Sequence, residues 1–319
     1  MAIQTALDSI SNSSGSPFGF KNRIINGAMV IDQRNNGAAV STAITSAPYS
    51  VDRWLIYGTQ AAKFTCQQNQ GSVTPPAGFS NYLGTTSSSA YSVISTDIFE
   101  IQQRIEGYNI ADLAWGTASA ATVTLSFWVR SSLTGTFGGS LGNGSRSYPF
   151  SYTILAANTW EQKSITIAGD TSGTWAATTS SGIAVTFSLG SGSTYNGTAG
   201  AWAAGNLLSA TGATSVVGTN GATFYITGVQ LEKGSTATSF DYRPYGTELA
   251  LCQRYYYKTA STNSWVTING YIGFQFKQTM RAAPTVTSSV GTPQTSDVDG
   301  LQILHTSQNS VQITASIEL

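Results

Sequence analysis

The sequence predicts an all-β protein, with an antiparallel jelly-roll or β-sandwich domain followed by a small C-terminal β domain. Only 9% of the 319 residues are charged, and 33 residues are glycine. This composition is too poor in lysine and glutamate for long surface helices, and too rich in β-branched and aromatic residues for disorder. Segments with period-two alternation follow one another without intervening helices, which favours antiparallel sheets over a parallel α/β design.

The clearest alternation lies in Thr122–Arg130, where every second residue is apolar. We expect this segment to be a strand with one face in the core. The same pattern predicts strands at Tyr148–Leu155, Trp160–Ala168, Ile183–Leu189 and Phe224–Leu231. The glycine-rich stretches between them predict loops, a flexible one at Gly138–Gly144 and a long one at Ser191–Asn220.

Earlier in the chain the predicted elements are shorter. We expect strands at Ile24–Ile31, Val51–Gly58 and Lys63–Gln67, with a turn at Asn36-Gly37. Ile98–Gly107 fits both helical and strand periodicity, and its neighbours favour a strand.

The stretch Phe224–Lys258 separates the long β segment from a shorter one. We therefore predict an N-terminal attachment segment at residues 1–20, a jelly-roll domain at 21–245 and a C-terminal β tip at 246–319. A short helical turn at Thr247–Cys252, with Thr247 as its cap, is expected at the junction. The later segments with strand patterns are Trp265–Lys277, Thr285–Ser289, Leu301–His305 and Val311–Ile317. So small a tip has a marginal core, and we expect a homotrimer to cover its exposed faces.

The balance of charges and the lack of targeting signals argue against several classes of partner. The 15 basic and 15 acidic residues balance, and no lysine or arginine cluster suits nucleic acid. The first 16 residues lack the basic start and apolar core of a secretory signal, and no apolar run approaches the roughly 20 residues of a membrane helix. We therefore expect synthesis in the cytoplasm, with Cys66 and Cys252 as free thiols.

A set of phrases resembles a known family. NGAMVIDQRNNG with VDRW, QQRIEG before TLSFWVR, TWEQKSITIAGDTSGTW, and GVQLEKGSTATSFDYRPYGTELALCQRYYYK look like tail-fibre and head-fibre virion proteins of tailed bacteriophages. The central part is similar to jelly-roll carbohydrate-binding modules. The resemblance implies a structural and adhesive role on the virion, commonly as a trimer.

Three aromatic residues are the predicted sugar-binding candidates. Trp175, Tyr195 and Trp202 lie in loop-like sequence rich in glycine and serine. Sugar sites use exposed aromatic faces because a pyranose presents C–H groups on one face and hydroxyls at its rim. The alternative is that each ring packs under a long loop or at a subunit contact.

The sequence predicts no enzyme, cofactor or metal site. A glycosidase pair among the acidic residues Asp97, Glu100, Glu106, Glu161 and Asp170 is a minor alternative. The presence of a single histidine, His305, argues against a Ser-His-Asp triad and a multi-histidine metal centre. Asp297–Gly300 reads as a hairpin turn in preference to a calcium loop.

Three functions follow for this sequence. The first is a tail or head fibre that attaches to the host surface by binding glycan, with residues 1–20 docked on other virion proteins. The second is a decoration or adaptor protein with no host ligand. The third, a glycan depolymerase, is the least favoured.

Overall fold

The computed structural model describes residues 21–42, 47–259, 270–289, 291–305 and 312–319, without the side chains of residues 270, 272, 295 and 305. The regular secondary structure of these residues is nearly all β-strand, which confirms the predicted fold class. The predicted attachment segment lies outside the described residues. No helix among the described residues is long and apolar enough to cross a membrane.

Fifteen strands precede the junction helix in the described residues. They are β1 (Val40–Ser41), β2 (Tyr49–Val51), β3 (Trp54–Gly58), β4 (Phe64–Gln68), β5 (Leu83–Ser87), β6 (Ile98–Glu106), β7 (Val123–Ser131), β8 (Gly135–Gly142), β9 (Arg146–Ile154), β10 (Glu161–Ile167), β11 (Ser181–Ser191), β12 (Asn196–Gly197), β13 (Ala203–Ala204), β14 (Ser209–Ala210) and β15 (Thr223–Lys233). A six-stranded sheet has the order β1-β4-β5-β15-β7-β10, and a seven-stranded sheet has the order β13-β9-β8-β11-β6-β3-β2. Neighbouring strands in both sheets are antiparallel.

The two sheets pack face to face, and aromatic rings join them across the core. Phe187 of β11 lies with its ring centroid 4.9 Å from that of Phe127 in β7 and 6.5 Å from that of Phe224 in β15. All three side chains are fully buried. Large buried aromatic side chains dominate core energetics, so these central strands form the middle of the sandwich.

Most predicted strands are confirmed. The five alternating segments correspond to β7, β9, β10, β11 and β15, and Lys63–Gln67 corresponds to β4. The preference for a strand at Ile98–Gly107 is confirmed by β6. Val51–Gly58 divides into the end of β2 and the whole of β3, because Arg53 between them has a positive φ of 72°.

The predicted strand at Ile24–Ile31 is wrong. The side chain of Asn26, which has a φ of 57°, accepts from the N–H of Ile31 at 3.0 Å and donates to its carbonyl oxygen at 2.8 Å. The amide of Gln103 binds both backbone groups of Ile25, each at 2.8 Å. Buried side-chain amides thus take the place of a strand partner.

The predicted flexible loop at Gly138–Gly144 is also wrong. β8 occupies Gly135–Gly142 and pairs with β9 and β11 inside the seven-stranded sheet. A Cβ atom at Gly139 would lie 2.2 Å from the carbonyl oxygen of Thr186 and 2.5 Å from the ring of Phe150. The glycines here allow neighbouring chains to approach closely.

The long loop predicted at Ser191–Asn220 contains short strands of its own. β12 pairs with β14 in parallel, and β13 adds to the edge of the seven-stranded sheet. Ser209 is fully buried, and a Cβ atom at Gly138 would lie 2.9 Å from the backbone nitrogen of Ala210. The segment is therefore packed on the outer face of that sheet.

β15 carries a β-bulge between Thr227 and Gln230. Gly228 within the bulge has a φ of 61°. Because the extra residue reverses the alternation of side chains, Ile226 and Val229 both lie in the core and are fully buried. The uniform alternation expected along this strand fails at the bulge.

The C-terminal part begins with helix α1 (Tyr245–Gln253). The strands that follow are β16 (Tyr256–Lys258), β17 (Gly270–Gln275), β18 (Thr285–Ser288), β19 (Thr292–Ser296), β20 (Gly300–His305) and β21 (Ile313–Ser316). They form two three-stranded sheets, β16-β21-β18 and β17-β20-β19. The prediction of Thr247 as the helix cap is wrong, because the helix begins after Pro244 without a side-chain cap.

Arginine side chains fix the C-terminal part to the sandwich. Arg53, with a side chain only 1% exposed, lies 3.6 Å from the ring centroid of Tyr255 and pairs with Glu318. Arg34 lies 3.7 Å from the ring centroid of Tyr256 and pairs with the same carboxylate. Cation–π contacts and ion pairs therefore lie together around the carboxylate of Glu318, between the sandwich and the C-terminal part.

A second contact lies beside the first. Arg254 donates to Glu106 at 2.7 and 3.0 Å, and the Tyr255 hydroxyl donates to the same carboxylate at 2.8 Å. Burial raises the pKa of Glu106, but these hydrogen bonds outweigh burial and hold that pKa below its usual value. Arg104 donates to the carbonyl oxygen of Leu319 at 2.9 Å. The last described residues thus lie against β6.

Candidate functional site

Four connecting segments meet at one end of the sandwich. The side chain of Asn143, in the β8–β9 turn, donates to the carbonyl oxygen of Thr174 at 3.0 Å. The backbone nitrogen of Gly116 donates to the carbonyl oxygen of Asp170 at 2.7 Å. Gly205 donates in the same way to Ser145 at 2.8 Å. Connections remote in sequence thus form one surface.

A cluster of aromatic side chains fills this end of the molecule, and we call it the tryptophan cluster. Trp115 lies 4.8 Å from Trp175 and 5.2 Å from Trp202, measured between ring centroids. Trp175 and Trp202 lie 5.4 Å apart, and Tyr148 lies 5.4 Å from Trp202. All four contacts are edge-to-face, the arrangement that aromatic pairs favour. Trp115 and Tyr148 are buried, whereas Trp175 and Trp202 are partly exposed.

Each indole N–H group of the tryptophan cluster binds a backbone carbonyl. Trp202 donates to Ala168 at 2.7 Å, and Trp175 donates to Ser172 at 3.1 Å. The buried Trp115 donates to Ala121 at 2.7 Å. The rings are consequently held in place before any ligand arrives, which reduces the entropy lost on binding.

An ion pair borders the cluster. Arg146 donates to both carboxylate oxygens of Asp170, at 2.7 and 2.8 Å. The hydrogen bonds with Asp170 raise the pKa of Arg146. A Cβ atom at Gly173 would lie 2.7 Å from Cγ of Arg146, so the loop packs directly on the arginine stem. The charges of Arg146 and Asp170 cancel. The ion pair therefore adds no net charge to the aromatic surface at this end of the sandwich.

The structure brings two of the three predicted sugar-binding residues together. Trp175 and Trp202 are in contact, whereas no ring contact within the described residues joins Tyr195 to them. Tyr195 ends a 3-10 turn, and its carbonyl oxygen accepts from the N–H of Leu208 at 2.7 Å. The use of all three residues in sugar binding stays a prediction.

Sequence reasoning missed the two buried rings and the arginine of this end. Trp115 and Tyr148 gave no signal of their own, because a buried aromatic residue in or near a strand is typical of any core. Arg146 becomes significant only through its contact with Asp170, 24 positions away. The signal that could have grouped these residues is the presence of aromatic residues in or beside several glycine-rich connections.

The acidic residues considered for a glycosidase are dispersed among other interactions. Asp97 accepts from Thr59 and Tyr91, Glu106 from Arg254, and Glu161 from Lys163. Asp170 pairs with Arg146. These four carboxylates are committed to hydrogen bonds within the fold.

Glu100 differs from these four carboxylates. It lies in β6 on the outer face of the seven-stranded sheet, where Gln102 donates to its Oε1 atom at 3.3 Å. Its Oε2 atom is buried and has no hydrogen-bond partner among the described residues. Burial raises the pKa of Glu100 to about 7. No group of three or more His, Cys, Asp or Glu residues in the described chain suits a metal ion.

No family model matches the chain, and no curated protein matches it in sequence. Among solved structures, it is similar to the enzymatically active domain of tailspike protein 4 from bacteriophage CBA120, with 14% identity and a TM-score of 0.36. That match covers 67% of this chain and 21% of the tailspike chain.

Two carbohydrate-binding modules are similar at the same level. TmCBM61, solved with β-1,4-galactotriose, has 11% identity and a TM-score of 0.33 over 67% of this chain and 99% of its own. The family 11 module from Clostridium thermocellum, solved with a mixed-linked tetrasaccharide, has 12% identity and a TM-score of 0.31 over 62% and 98%. Scores this low carry no argument about function.

Proposed function

We propose that this chain is a non-enzymatic virion protein, a tail or head fibre, that attaches to the host surface by binding glycan at the tryptophan cluster. The observation that carries the proposal is that Trp175 and Trp202 are partly exposed and fixed by their own indole hydrogen bonds. Fixed aromatic faces suit the C–H face of a pyranose, and the amide of Asn143 lies in the same group of connections.

The virion assignment has separate support. The phrases GVQLEKGS and FDYRPYG, with CQRYYYK after them, resemble phage fibre proteins, and they form β15, the linker and the start of the C-terminal part. The proposal includes a homotrimer, and it includes docking of residues 1–20 on other virion proteins. The trimer and the docking of residues 1–20 are tested by different measurements.

The glycan claim is tested by replacing the exposed rings. We expect Trp175→Ala and Trp202→Ala each to weaken binding to isolated host-surface polysaccharide by about two- to tenfold, since one ring contact contributes about 0.5–1.5 kcal/mol. Trp175→Phe should retain part of the affinity, because it keeps an aromatic face.

The control for this experiment is Leu155→Ala, which removes a side chain that is 78% exposed and follows the end of β9 away from Arg146. Near-ultraviolet circular dichroism would confirm that each variant is folded. Equal binding by all the variants would exclude the tryptophan cluster as the site. Absence of binding by the parent protein to any host polysaccharide would favour the decoration or adaptor alternative.

The assembly claims need the complete chain. We expect light scattering to give the mass of three chains, and we expect deletion of residues 1–20 to leave that mass, less the deleted residues, while incorporation into particles is lost. A monomeric protein would contradict the trimer. Normal incorporation of the shortened protein would contradict the attachment role.

A further inference from the structure

A pocket lies where the linker after β15 runs toward helix α1. Its volume is about 150 Å³. The lining residues are Ala28, Val30, Gly78, Phe79, Ser80, Phe240, Tyr242, Arg243 and Glu248. We call it the junction pocket. It is smaller than the roughly 300 Å³ of pockets for drug-sized ligands, so it suits a single ring.

Three aromatic rings form one wall of the junction pocket. Ring centroids lie 5.1 Å apart for Phe79 and Phe240, 5.5 Å for Phe79 and Tyr242, and 4.8 Å for Phe240 and Tyr242. Tyr242 is 57% exposed. The wall is therefore a packed aromatic surface that is open to solvent on one side.

Two glycines allow this wall to form. Gly228, in the bulge of β15, would place a Cβ atom 2.6 Å from the ring of Phe79. Gly78 has a φ of 91°, and its Cβ atom would lie 2.7 Å from the hydroxyl of Tyr242. Backbone and rings are thus closer than any other residue type would permit at these positions.

A buried ion pair forms the polar wall. Nη1 of Arg243 lies 3.2 Å from both carboxylate oxygens of Glu248 and donates to the carbonyl oxygen of Ile24 at 3.0 Å. The Oε1 atom of Glu248 also accepts from the backbone of Asn26. A carboxylate has about four acceptor sites, so Oε2 retains capacity for a hydroxyl donor. The opposite charges balance, which favours a neutral ligand.

We propose that the junction pocket binds one neutral hexopyranose residue. The C–H face of the sugar packs on Tyr242, and a ring hydroxyl donates to Oε2 of Glu248. The hydroxyl of Ser80, which donates to Asn81 at 2.8 Å, keeps its oxygen available as an acceptor. An apolar side chain in the pocket would use the rings, but it would remove Glu248 from water without supplying a donor.

The site is separate from the tryptophan cluster. None of the residues that line the junction pocket belongs to the tryptophan cluster. Binding there would give each chain two separate sugar contacts. Two weak contacts on one particle raise the overall affinity through effective concentration.

The test is saturation-transfer difference NMR on the full chain with methyl α-glucoside, methyl α-galactoside and methyl α-mannoside. We expect at least one sugar to receive saturation from the parent protein and from a Trp175→Ala/Trp202→Ala double variant. Tyr242→Ala and Phe79→Ala should each reduce the signal of the double variant at least severalfold. Tyr245→Ala is the matched control, because Tyr245 is 63% exposed nearby but does not line the pocket.

The outcomes separate the two sites. A signal lost in the tryptophan double variant but kept in Tyr242→Ala would overturn the junction pocket and leave the proposed function standing. No signal with any of the three sugars would also overturn it. The reverse pattern, loss only in Tyr242→Ala and Phe79→Ala, would support the pocket and contradict the tryptophan cluster. Tyr242→Phe, which keeps the ring, should bind like the parent protein.

Discussion

The sandwich and the C-terminal part bury apolar surface on different scales. In the sandwich, six- and seven-stranded sheets enclose a continuous core, and Phe187 alone contacts four other rings. In the C-terminal part, two three-stranded sheets enclose a much smaller core around Tyr257, Phe276 and Met280. The smaller part is attached to the sandwich by Arg34 and Arg53 and by a small apolar cluster of Ile25, Ile31, Cys252 and Tyr255.

This difference shows how a small β unit can be ordered without a large core of its own. Its charged contacts are buried between the two parts, where an unpaired partner is costly. Removing one charge should therefore affect the junction more than an equivalent change at the surface. Removing apolar volume should affect the sandwich most of all.

The largest effect is expected from Phe187→Ala. The substitution leaves a cavity among the rings of the sandwich, and comparable changes lower the free energy of unfolding by about 3–5 kcal/mol. Urea unfolding monitored by tryptophan fluorescence would measure it. Leu155→Ala, at a side chain that is 78% exposed, is the control and should cost less than about 0.5 kcal/mol. Equal losses for the two variants would contradict the assignment of the core.

Glu318→Gln should have an effect of similar size that is confined to the C-terminal part. The carboxylate pairs with both Arg34 and Arg53, and removal of one partner from a buried pair costs about 3–5 kcal/mol. Limited proteolysis should show faster cleavage in the C-terminal part while the sandwich stays intact.

Asp112→Asn is the control for that variant. Asp112 pairs with Arg23, but its side chain is 54% exposed, so the change should cost less than about 1 kcal/mol. Cleavage at the parental rate in Glu318→Gln would show that the arginine contacts do not hold the C-terminal part in place.

Strand glycines in the two parts should respond differently to alanine. At Gly139 in β8 a Cβ atom would meet the backbone of Thr186 at 2.2 Å, so Gly139→Ala should cost about 1–3 kcal/mol through overpacking. At Gly273 in β17 nothing lies within 4 Å of the added atom, and Gly273→Ala should be neutral or stabilise by up to about 1 kcal/mol. Thermal unfolding would compare them. A larger loss at Gly273 would reverse the comparison.

The stability of the folded protein should also depend on pH through the buried carboxyl of Asp52. Burial raises the pKa of Asp52 from 3.8 to about 7, against a hydrogen bond from Gln33 and the charge of Arg34. Between about pH 4 and pH 7 the folded protein therefore holds a proton that the unfolded chain has lost. The contribution of this group to the free energy of unfolding is present at low pH and is lost as pH rises through that window.

Asp52→Asn should accordingly remove part of the fall in stability between about pH 4 and pH 7, as measured by urea midpoints. The opposite sign is expected at Asp112. Burial would raise the pKa of Asp112, but pairing with Arg23 holds it below its usual value, so Asp112→Asn should remove stability that is present above about pH 4. An unchanged pH profile in Asp52→Asn would show that this carboxyl does not titrate in the window.

Period-two alternation was enough to predict the central strands. β7 and β11 carry apolar side chains on the core side, and that pattern exists in the sequence itself. β8 was missed because glycine has no side chain to alternate, and only the close backbone of Thr186 and ring of Phe150 explain why glycine is needed. The irregular chain at Ile24–Ile31 was misread because its partners, such as Gln103, are distant in sequence.

The candidate site could be predicted only in part for a similar reason. Trp175 and Trp202 were identified from the composition of their loops, and the structure places them in contact. The sequence does not show which buried rings support them or that Arg146 contacts Asp170. Both depend on the pairing of β8 with β9 and on the path of the connecting segments. The junction pocket gave no sequence signal, because Phe79 and Tyr242 become neighbours only after the linker crosses back.

The contact between Arg34 and Glu318 joins positions 284 residues apart. Closing a loop of that size has an entropic cost that must be met before the contact contributes anything. Contacts with such large sequence separation also slow folding. During synthesis, Arg34 and Arg53 emerge long before their carboxylate partner exists. The junction therefore forms late, and until then the nascent sandwich carries Arg34 and Arg53 without Glu318 on the surface that the C-terminal part later covers.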